Sequence, residues 1–267
     1  MTIGVIISTY NNPAWLEKTL WGYMSQIRPA DEIIIADDGS RPETRNMLKN
    51  YEGWLPIKYV WHEDKGFRKT RILNEAIKVA QSDYLIFTDQ DCVPREDFVA
   101  VHEQYAQQGH FLSGGHCLLP VPISQQLTKE DVVSQRAFRL KWLRQKGYKC
   151  SMKSTKLIQS TWFSRLMNTL TPAKATFNGG NSSGWRSDIL DARGFDERMQ
   201  YGGEDRELGE RLVNAGIRGT QIRYSAIVLH LDHKRPYVNI EGIEKNNAIR
   251  RQTREQHLTK TSYGLKC

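Results

Sequence analysis

The sequence predicts an α/β fold with a mostly parallel sheet covered by helices on both faces. Three observations support this prediction: short unbroken apolar runs recur along the first hundred residues, amphipathic segments separate them, and turn signals punctuate them. Unbroken apolar strands are typical of parallel sheets, because both faces of such sheets are buried. A chain of 267 residues suits one domain of this kind, with room for an appended segment.

Four predicted strands alternate with four predicted helices in the first part of the chain. Asn12 is a candidate N-cap for the first helix, and Pro13 suits its first position. In the third helix, Leu73, Ala76 and Ile77 share one face. The predicted strands are Ile3–Ser8, Glu32–Ala36, Ile57–Trp61 and Tyr84–Thr88, and the predicted helices are Pro13 to about Ser25, Arg41–Asn50, Lys69–Ala80 and Glu96–Gln107.

The alternation is lost after about Phe111. Further on, the sequence predicts helices at Ile158–Leu170 and Glu204–Ala215 and a strand at Ser225–Leu229. We therefore divide the chain into a domain at 1–233 and a basic C-terminal extension at 234–267. The domain has a nucleotide-binding half at 1–110 and a sugar- and acceptor-binding half at 111–233, which contains a basic helical insertion at 120–175.

The positive charge is concentrated in one part of this insertion. The formal net charge is +8, and residues 132–174 contain ten Lys or Arg and no Asp or Glu. The same segment contains the aromatic residues Phe138, Trp142, Trp162 and Phe163. Such a mixture favours an anionic partner, for which an anionic membrane surface is one candidate. The alternative is a solvated insertion whose apolar stripe packs on the sheet.

Composition also favours some cellular settings over others. The four cysteines form no C-x-x-C pair, so a zinc site or a disulfide framework is not expected. The first residues read as a strand rather than a signal peptide, and no apolar run approaches the roughly 18–20 residues of a membrane span. We expect a cytoplasmic protein, peripheral at the inner face of the membrane.

Two acidic motifs contain the most informative residues. Asp89 and Asp91 follow a buried strand, at the sheet edge where ligands of open α/β folds bind. Paired carboxylates there suit Mg²⁺ or Mn²⁺, with a diphosphate supplying further oxygens. Glu204 and Asp205 follow a glycine pair at a helix start, where the helix dipole favours ionised carboxylates. A metal–diphosphate site with a separate carboxylate base suits sugar transfer from a nucleotide to a hydroxyl.

Five motifs occur in an order that resembles a known family. They are Ser8-Thr9-Tyr10-Asn11, Asp37-Asp38-Gly39-Ser40, Asp89-Gln90-Asp91, Asn178-Gly179-Gly180-Asn181 and Gly202-Gly203-Glu204-Asp205. In this order and spacing they resemble family 2 inverting glycosyltransferases of GT-A fold, a Rossmann-like architecture. The later half resembles the galactosyltransferase or N-acetylgalactosaminyltransferase type found in bacterial chondroitin polymerases.

The resemblance implies roles in binding a UDP-sugar. It implies that Tyr10 stacks on uracil, that Asp38 accepts a hydrogen bond from it, and that Asp89 contacts ribose or a metal-bound water. Asp37 is expected to be structural, and the whole turn could instead only cap the next helix. Other implied donor-binding residues are Thr9, Asn11, Arg68, Arg71, Gly179, Gly180 and Asn181; which basic residue among Arg68, Lys69 and Arg71 meets the donor stays open.

The resemblance also implies a metal site and a catalytic base. Asp91 and His230 would bind Mn²⁺ or Mg²⁺, with His233 as the alternative to His230. Asp205 would be the base, and Glu204, with Tyr201, would bind the acceptor. The alternative is that Glu204 and Asp205 only stabilise the first turn of the helix, where acidic residues are common.

Two other function classes compete with this interpretation. A sugar-nucleotide pyrophosphorylase would need a glycine-rich loop after the first strand, and the residues from Ser8 to Pro13 include no glycine. A non-enzymatic protein that binds nucleic acid or membranes through 132–174 would leave the acidic motifs unexplained. We expect a UDP-sugar donor, a glycan or lipid-linked glycan acceptor, no nucleic acid, and a place in surface polysaccharide or lipopolysaccharide synthesis.

Overall fold

A computed structural model describes residues 1–233 and 239–266. Its strands are β1 Ile3–Thr9, β2 Glu32–Asp37, β3 Ile57–Trp61, β4 Tyr84–Asp89, β5 Cys92–Pro94, β6 His110–Ser113, β7 Gly115–Leu119, β8 Ser182–Trp185, β9 Arg218–Gln221 and β10 Ile227–Leu231. Its α-helices are α1 Pro13–Met24, α2 Pro42–Leu48, α3 Lys69–Val79, α4 Phe98–Tyr105, α5 Val121–Gln126, α6 Lys129–Val133, α7 Leu140–Gln145, α8 Thr161–Leu170, α9 Arg186–Asp191, α10 Glu204–Asn214 and α11 Ile240–Glu255.

The described strands form two sheets. Seven lie in the order β3-β2-β1-β4-β8-β6-β9, and the other three in the order β5-β10-β7. The first four strands of the large sheet are parallel, whereas β8 runs antiparallel to both of its neighbours. The predicted α/β fold with a mostly parallel sheet is therefore confirmed, and the first eight predicted elements occur in the predicted order, with the unpredicted strand β5 between β4 and α4.

Helices bury both faces of the large sheet. On one face, Val5, Ile35 and Ile86 pack with Leu16 of α1. On the other face, the opposite side chains of the same strands pack with α3 and α10. Because the side chains of a strand alternate between faces, only continuous apolar runs can fill both layers. The parallel strands then end together at one edge, where loops are free to carry polar residues.

The basic insertion covers the small sheet. Phe138 and Leu143 are fully buried against Val93 and Leu229, together with other apolar residues of the insertion. Phe163 is also used for packing, since its ring meets Tyr224 edge-on with 6.1 Å between centroids. Two of the aromatic residues that the sequence suggested for an interface therefore serve internal packing.

Helix α11 packs against α10 rather than extending from the domain. The side chain of Asn214 donates to the carbonyls of Thr253 and Leu258, both at 2.9 Å. The Thr253 hydroxyl donates to Glu207 at 2.8 Å, and Glu207 is itself paired with the buried Arg211. None of the described helices is long and apolar enough to cross a membrane.

Candidate active site

A cleft of about 940 Å³ opens where β1, β2 and β4 end. Parallel strands end at the same sheet edge, so residues from distant motifs converge there. Twelve of the predicted site residues line this cleft: Thr9, Tyr10, Asn11, Asp38, Asp89, Asp91, Gly179, Gly180, Tyr201, Glu204, Asp205 and His230.

The first two strand ends build one end of the cleft. Asp38 accepts a hydrogen bond from the backbone N–H of Arg68 at 2.9 Å and lies 2.7 Å from His62 Nε2. Burial raises the pKa of Asp38, against the opposing effect of His62. The Tyr10 ring is 43% exposed and its hydroxyl donates to Asp64. An accessible ring near a fixed carboxyl suits the stacking and hydrogen bonding of a nucleobase.

Asp37 has a structural role, as the sequence predicted. It is fully buried, its Oδ1 accepts from the backbone N–H of Ser40, and its Oδ2 accepts from the Tyr59 hydroxyl. Asn11 closes the same corner, because its Oδ1 accepts from the N–H of Arg41 and its N–H donates to the Ser40 hydroxyl. This network fixes the turn that carries Asp38.

Asp89 lies at the centre of the cleft and is paired with a lysine. Its Oδ1 accepts from the Ser8 hydroxyl at 2.5 Å and from Lys69 Nζ at 2.6 Å. Burial opposes the charged lysine, but the carboxylates of Asp89, Glu204 and Asp205 raise the pKa of Lys69 above its usual value. Lys69 therefore stays charged amid three carboxylates.

The side chains around Asp91 form a candidate metal centre. Asp91 is only 4% exposed, and its Oδ2 lies 3.3 Å from His230 Nε2 and 2.8 Å from His233 Nε2. Strand pairing explains the proximity: β5 and β10 place Cys92 opposite His230, and the N–H of Leu231 donates to the Asp91 carbonyl at 2.8 Å.

The donor set of this centre fits a divalent cation. Donor atoms of Asp91, Cys92 and His230 all lie within 4.8 Å of one another. Burial and the neighbouring carboxylates raise the pKa of the Cys92 thiol, which leaves oxygen and nitrogen as the ready donors. Such a set suits Mn²⁺ or Mg²⁺. Among the described residues, no hydrogen-bond partner meets the buried Nδ1 of His230.

The glycine loop connects the donor side of the cleft to the candidate base. The N–H of Gly179 donates to Asp205 Oδ2 at 2.7 Å. A Cβ at Gly179 would lie 3.2 Å from Lys69 Nζ, and one at Gly180 would lie 3.6 Å from Asp89 Oδ2. These glycines therefore let backbone approach the charged groups closely, as a substrate loop requires.

Gly202 and Gly203 adopt left-handed backbone conformations, with φ of 109° and 91°. Such values are strained for other residues, and they bring the chain sharply into α10. Glu204 is buried beneath the loop and accepts from the N–H of Gly202 at 2.9 Å. Burial and then repulsion from Asp205 raise the pKa of Glu204 to about 7, while Lys69 opposes the rise.

Asp205 lies in the first turn of α10, where backbone N–H groups meet its side chain. In addition to the Gly179 contact, its Oδ1 accepts from the N–H of Arg206 at 2.7 Å. Two backbone donors at the N-terminal end of the helix therefore fix the position of both Asp205 oxygens. The pair of neighbouring carboxyls thus differs in environment, with Glu204 buried and Asp205 more accessible.

Three residues predicted for the donor site do not line the cleft. Arg71 lies on the exposed side of α3. It is two residues after Lys69, which lines the cleft, and residues two apart on a helix point in different directions. The Arg68 side chain turns to the Glu63 carbonyl, and only its N–H reaches Asp38. Asn181 is 1% exposed and binds the carbonyls of Gly115 and Ala226. The basic residue that reaches the donor side is Lys69.

Other cleft residues were missed from the sequence. Gln90 fixes the loop after β1, because its Oε1 accepts from the Thr9 hydroxyl at 2.5 Å and from the N–H of Tyr10 at 3.1 Å. Its place between Asp89 and Asp91 was a usable signal. Ile243, Asn247 and Arg250 line the cleft from α11, and their i, i+4, i+7 spacing gave a weaker signal.

Comparisons with known proteins find similarity to glycosyltransferases. Residues 4–118 match the family model "Glycosyl transferase family 2", and residues 169–234 match "N-terminal domain of galactosyltransferase". A validoxylamine A glucosyltransferase from Streptomyces hygroscopicus subsp. limoneus is 30% identical over 233 residues, which cover 84% of this chain and 50% of the relative. A chondroitin synthase from Escherichia coli is 28% identical, over 80% of this chain and 32% of that protein. The chain thus spans half the length of the first relative and about a third of the second.

Solved structures show the same fold. S. aureus TarS 1-349 in complex with UDP superposes with a TM-score of 0.62 at 16% identity, over 94% of this chain and 64% of that one. Mannosyltransferase PcManGT from Pyrobaculum calidifontis, in complex with GDP-Man and Mn2+, gives a TM-score of 0.57 at 19% identity, over 96% of this chain and 62% of the other. Both family models match in order, over residues 4–118 and 169–234, and the chain has the GT-A fold of these solved structures.

Proposed function

We propose that this protein transfers a hexose or N-acetylhexosamine, with galactose-type sugars favoured, from a UDP-sugar to a hydroxyl of a glycan or glycolipid. The observation that carries the proposal is the convergence of Asp38, Asp89, Asp91 and Asp205 on one cleft. The galactosyltransferase match over residues 169–234 supports the sugar type. Structural neighbours bound to UDP and to UDP-GlcNAc support the nucleotide.

In this mechanism Asp205 is the general base. It takes the proton of the acceptor hydroxyl, whose oxygen then attacks the anomeric carbon of the sugar. The bond from that carbon to the diphosphate oxygen breaks, UDP leaves with the bonding electrons, and the anomeric configuration inverts. The hydrogen bonds from the N–H groups of Gly179 and Arg206 keep Asp205 oriented for this step.

Donor binding depends on residues from both halves of the domain. Tyr10 and Asp38 bind the uracil ring of the donor, while Gly179 and Gly180 allow the donor sugar to lie against the backbone. Lys69 neutralises Asp89 and presents a positive charge toward the diphosphate. Asp91 with His230 or His233 would hold Mn²⁺ or Mg²⁺, which would stabilise the charge on departing UDP.

The acceptor side contains Glu204 and Tyr201. With a pKa near 7, Glu204 retains a proton over part of the physiological range, so it can donate a hydrogen bond to an acceptor oxygen. Tyr201 and Phe67 form an edge-on aromatic pair with centroids 6.1 Å apart at the cleft margin. Aromatic faces of this kind suit contact with the C–H face of a sugar ring.

A screen of UDP-sugars for Mn²⁺-dependent UDP release tests the proposed activity. We expect one UDP-hexose or UDP-N-acetylhexosamine to release UDP well above the level given by the Asp205→Asn variant. A β-linkage in the product, read by NMR, would support inversion. If no UDP-sugar releases UDP above that level, or if the product linkage is α, the proposal is wrong in activity or in stereochemistry respectively.

We also propose that the protein works at an anionic membrane surface in the synthesis of a surface polysaccharide or lipopolysaccharide. Helix α8 supports this, because it docks through Phe163 and Asn168 while leaving an outer stripe in solvent. Trp162 is 72% exposed and Leu170 is 65% exposed, and Leu166 lies between them at helical spacing. Residues 132–174, which include this helix, contain ten basic residues and no acidic residue.

Vesicle sedimentation separates this role from internal packing. We expect binding to vesicles with phosphatidylglycerol, little binding to neutral ones, and a loss of binding in a Trp162→Ser, Leu170→Ser variant. Trp54→Ser is the matched control, since Trp54 is 75% exposed in the turn before β3. Neutralising Arg139, Lys141, Arg144 and Lys146 should weaken the same binding without changing UDP affinity. Absence of binding would leave α8 with a packing role only, and equal binding to neutral and anionic vesicles would refute the anionic surface as the partner.

A further inference from the structure

Helix α11 forms one wall of the cleft although it lies beyond both family-model matches. Its inner face is held tightly. The buried side chain of Asn246 donates to the carbonyls of Gln200, Tyr201 and Gly202 at 2.9, 3.3 and 3.1 Å. These bonds tie α11 to the loop that precedes the candidate base. The position of the wall is therefore fixed relative to Asp205.

A neighbouring face of α11 turns into the cleft, with Ile243, Asn247 and Arg250 spaced along it. A Cβ at Gly202 would lie 3.1 Å from Ile243 Cγ1, and a Cβ at Gly203 would lie 3.0 Å from Arg250 Cδ and 3.3 Å from its Nη1. The guanidinium therefore lies directly beside the glycine pair.

The wall presents a guanidinium group to the cleft. Arg250 Nη2 and Arg254 Nη1 contact the same oxygen of Glu210, at 2.7 and 2.9 Å, so two guanidiniums share one carboxylate. No hydrogen-bond acceptor meets Arg250 Nη1 in the part of the chain that the structure describes. The exposed Arg206 also lines this side of the cleft. The donor side, by contrast, carries Asp38, Asp89 and Asp91.

We propose that this face is an acceptor subsite that binds an anionic group, a carboxylate or a phosphate, next to the hydroxyl that receives the sugar. The inference rests on the proposed transferase function and names its acceptor class. Arg250 supplies the positive charge and the Nη1 donors, which no acceptor meets among the described residues. Ile243 supplies an apolar contact for the sugar ring. Asp205 stays accessible because the anion is held by α11 rather than by α10.

The test is a binding measurement that does not depend on turnover. Three p-nitrophenyl glycosides serve as probes: a neutral hexoside, the corresponding hexuronide and the corresponding 6-phosphohexoside. Their dissociation constants are measured by ligand-observed NMR with the UDP-loaded protein. We expect at least one anionic probe to bind roughly tenfold or more tightly than the neutral one, since a hydrogen-bonded charge contributes about that much. The hexuronide and phosphohexoside arms identify which anion the site takes.

Arg250→Gln tests the residue, and Arg254→Gln is its matched control. Arg254 shares Glu210 but is 51% exposed and does not line the cleft. Arg250→Gln should abolish the preference for the anionic probe, whereas Arg254→Gln should preserve it, and both should keep UDP affinity. Equal binding of neutral and anionic probes, or equal effects of the two variants, would overturn the subsite. If the unmutated protein turned over no UDP-sugar, the proposed function itself would be refuted.

Discussion

Replacement of Asp205 by asparagine gives the sharpest test of the proposed mechanism, because the structure shows what the change does to each oxygen. Oδ2 accepts from the N–H of Gly179 and Oδ1 accepts from the N–H of Arg206, each at 2.7 Å. An amide has one oxygen and one NH₂ group. In either orientation, one of the two backbone donors therefore faces another donor.

Two effects of different size follow from this geometry. Loss of a positioned general base lowers turnover by roughly 10²–10⁴, or about 2.7–5.5 kcal/mol. Loss of one hydrogen bond to a charged group costs about 1.5–3 kcal/mol, and it acts on the donor-binding Gly179 loop when the amide nitrogen turns toward Gly179. We therefore expect a large fall in kcat at saturating donor, with a smaller fall in UDP affinity.

The assay is UDP release at saturating UDP-sugar, with UDP affinity measured by calorimetry. Glu204→Gln is the control, since it makes the same chemical change at the adjacent carboxyl. We expect it to raise the acceptor KM while leaving kcat closer to that of the unmutated enzyme. If Asp205→Asn kept kcat within a few-fold while Glu204→Gln abolished it, the assignment would be reversed and Glu204 would be the base.

Three further predictions follow from the site. Asp91→Ala should remove the dependence of UDP binding on Mn²⁺; equal UDP affinity of the unmutated protein with and without EDTA would refute the metal centre. Because the native pKa of Glu204 is raised to about 7, its proton stabilises the fold at low pH, and this stability is lost as pH rises from about 4.5 through 7. The loss in the free energy of unfolding is roughly 3 kcal/mol, and Glu204→Gln should abolish it in chemical unfolding of the metal-free protein. An unchanged pH dependence of the unfolding free energy would contradict this prediction. Lys69→Met should weaken UDP binding and raise the pKa of Glu204 further. The higher pKa would shift the pH dependence of the unfolding free energy to higher pH. Arg71→Met should change neither the UDP affinity nor this pH dependence.

The sequence was sufficient to predict an element wherever its local residue pattern matches its environment in the folded protein. Strands β1, β2 and β4 are unbroken apolar runs, and both of their faces are buried, so their composition alone indicates a parallel sheet. The carboxyl ends of such strands must share an edge. For that reason Asp38, Asp89 and Asp91 could be placed together from their positions after strands, and the glycine pair before Glu204 signalled a sharp turn into a helix.

The elements that the sequence did not predict lack such a local signal. Strand β9 is Arg218–Gln221, a polar segment that becomes a strand only because β6 offers its backbone hydrogen bonds. Helix α11 buries Gly242, Asn246, Ile249 and Thr253, so Ile249 is the one large apolar side chain among them and no apolar stripe marks the inner face. Its contacts are polar and specific, and they depend on partners at Gln200–Gly202 and Glu207 that are distant in sequence.

The choice among similar side chains was also made by the tertiary structure. The sequence identified Arg68, Lys69 and Arg71 as basic residues near the donor, but only the docking of α3 turns Lys69 toward Asp89 and Arg71 to solvent. Asn181 looked like a donor-site residue and instead binds buried carbonyls between the two sheets. The sequence by itself determined the sheet, its functional edge and the acidic groups there, because strand burial and chain order fix these. Which side chains face the cleft depends on how helices and loops pack, and that is decided by contacts between residues far apart in the chain.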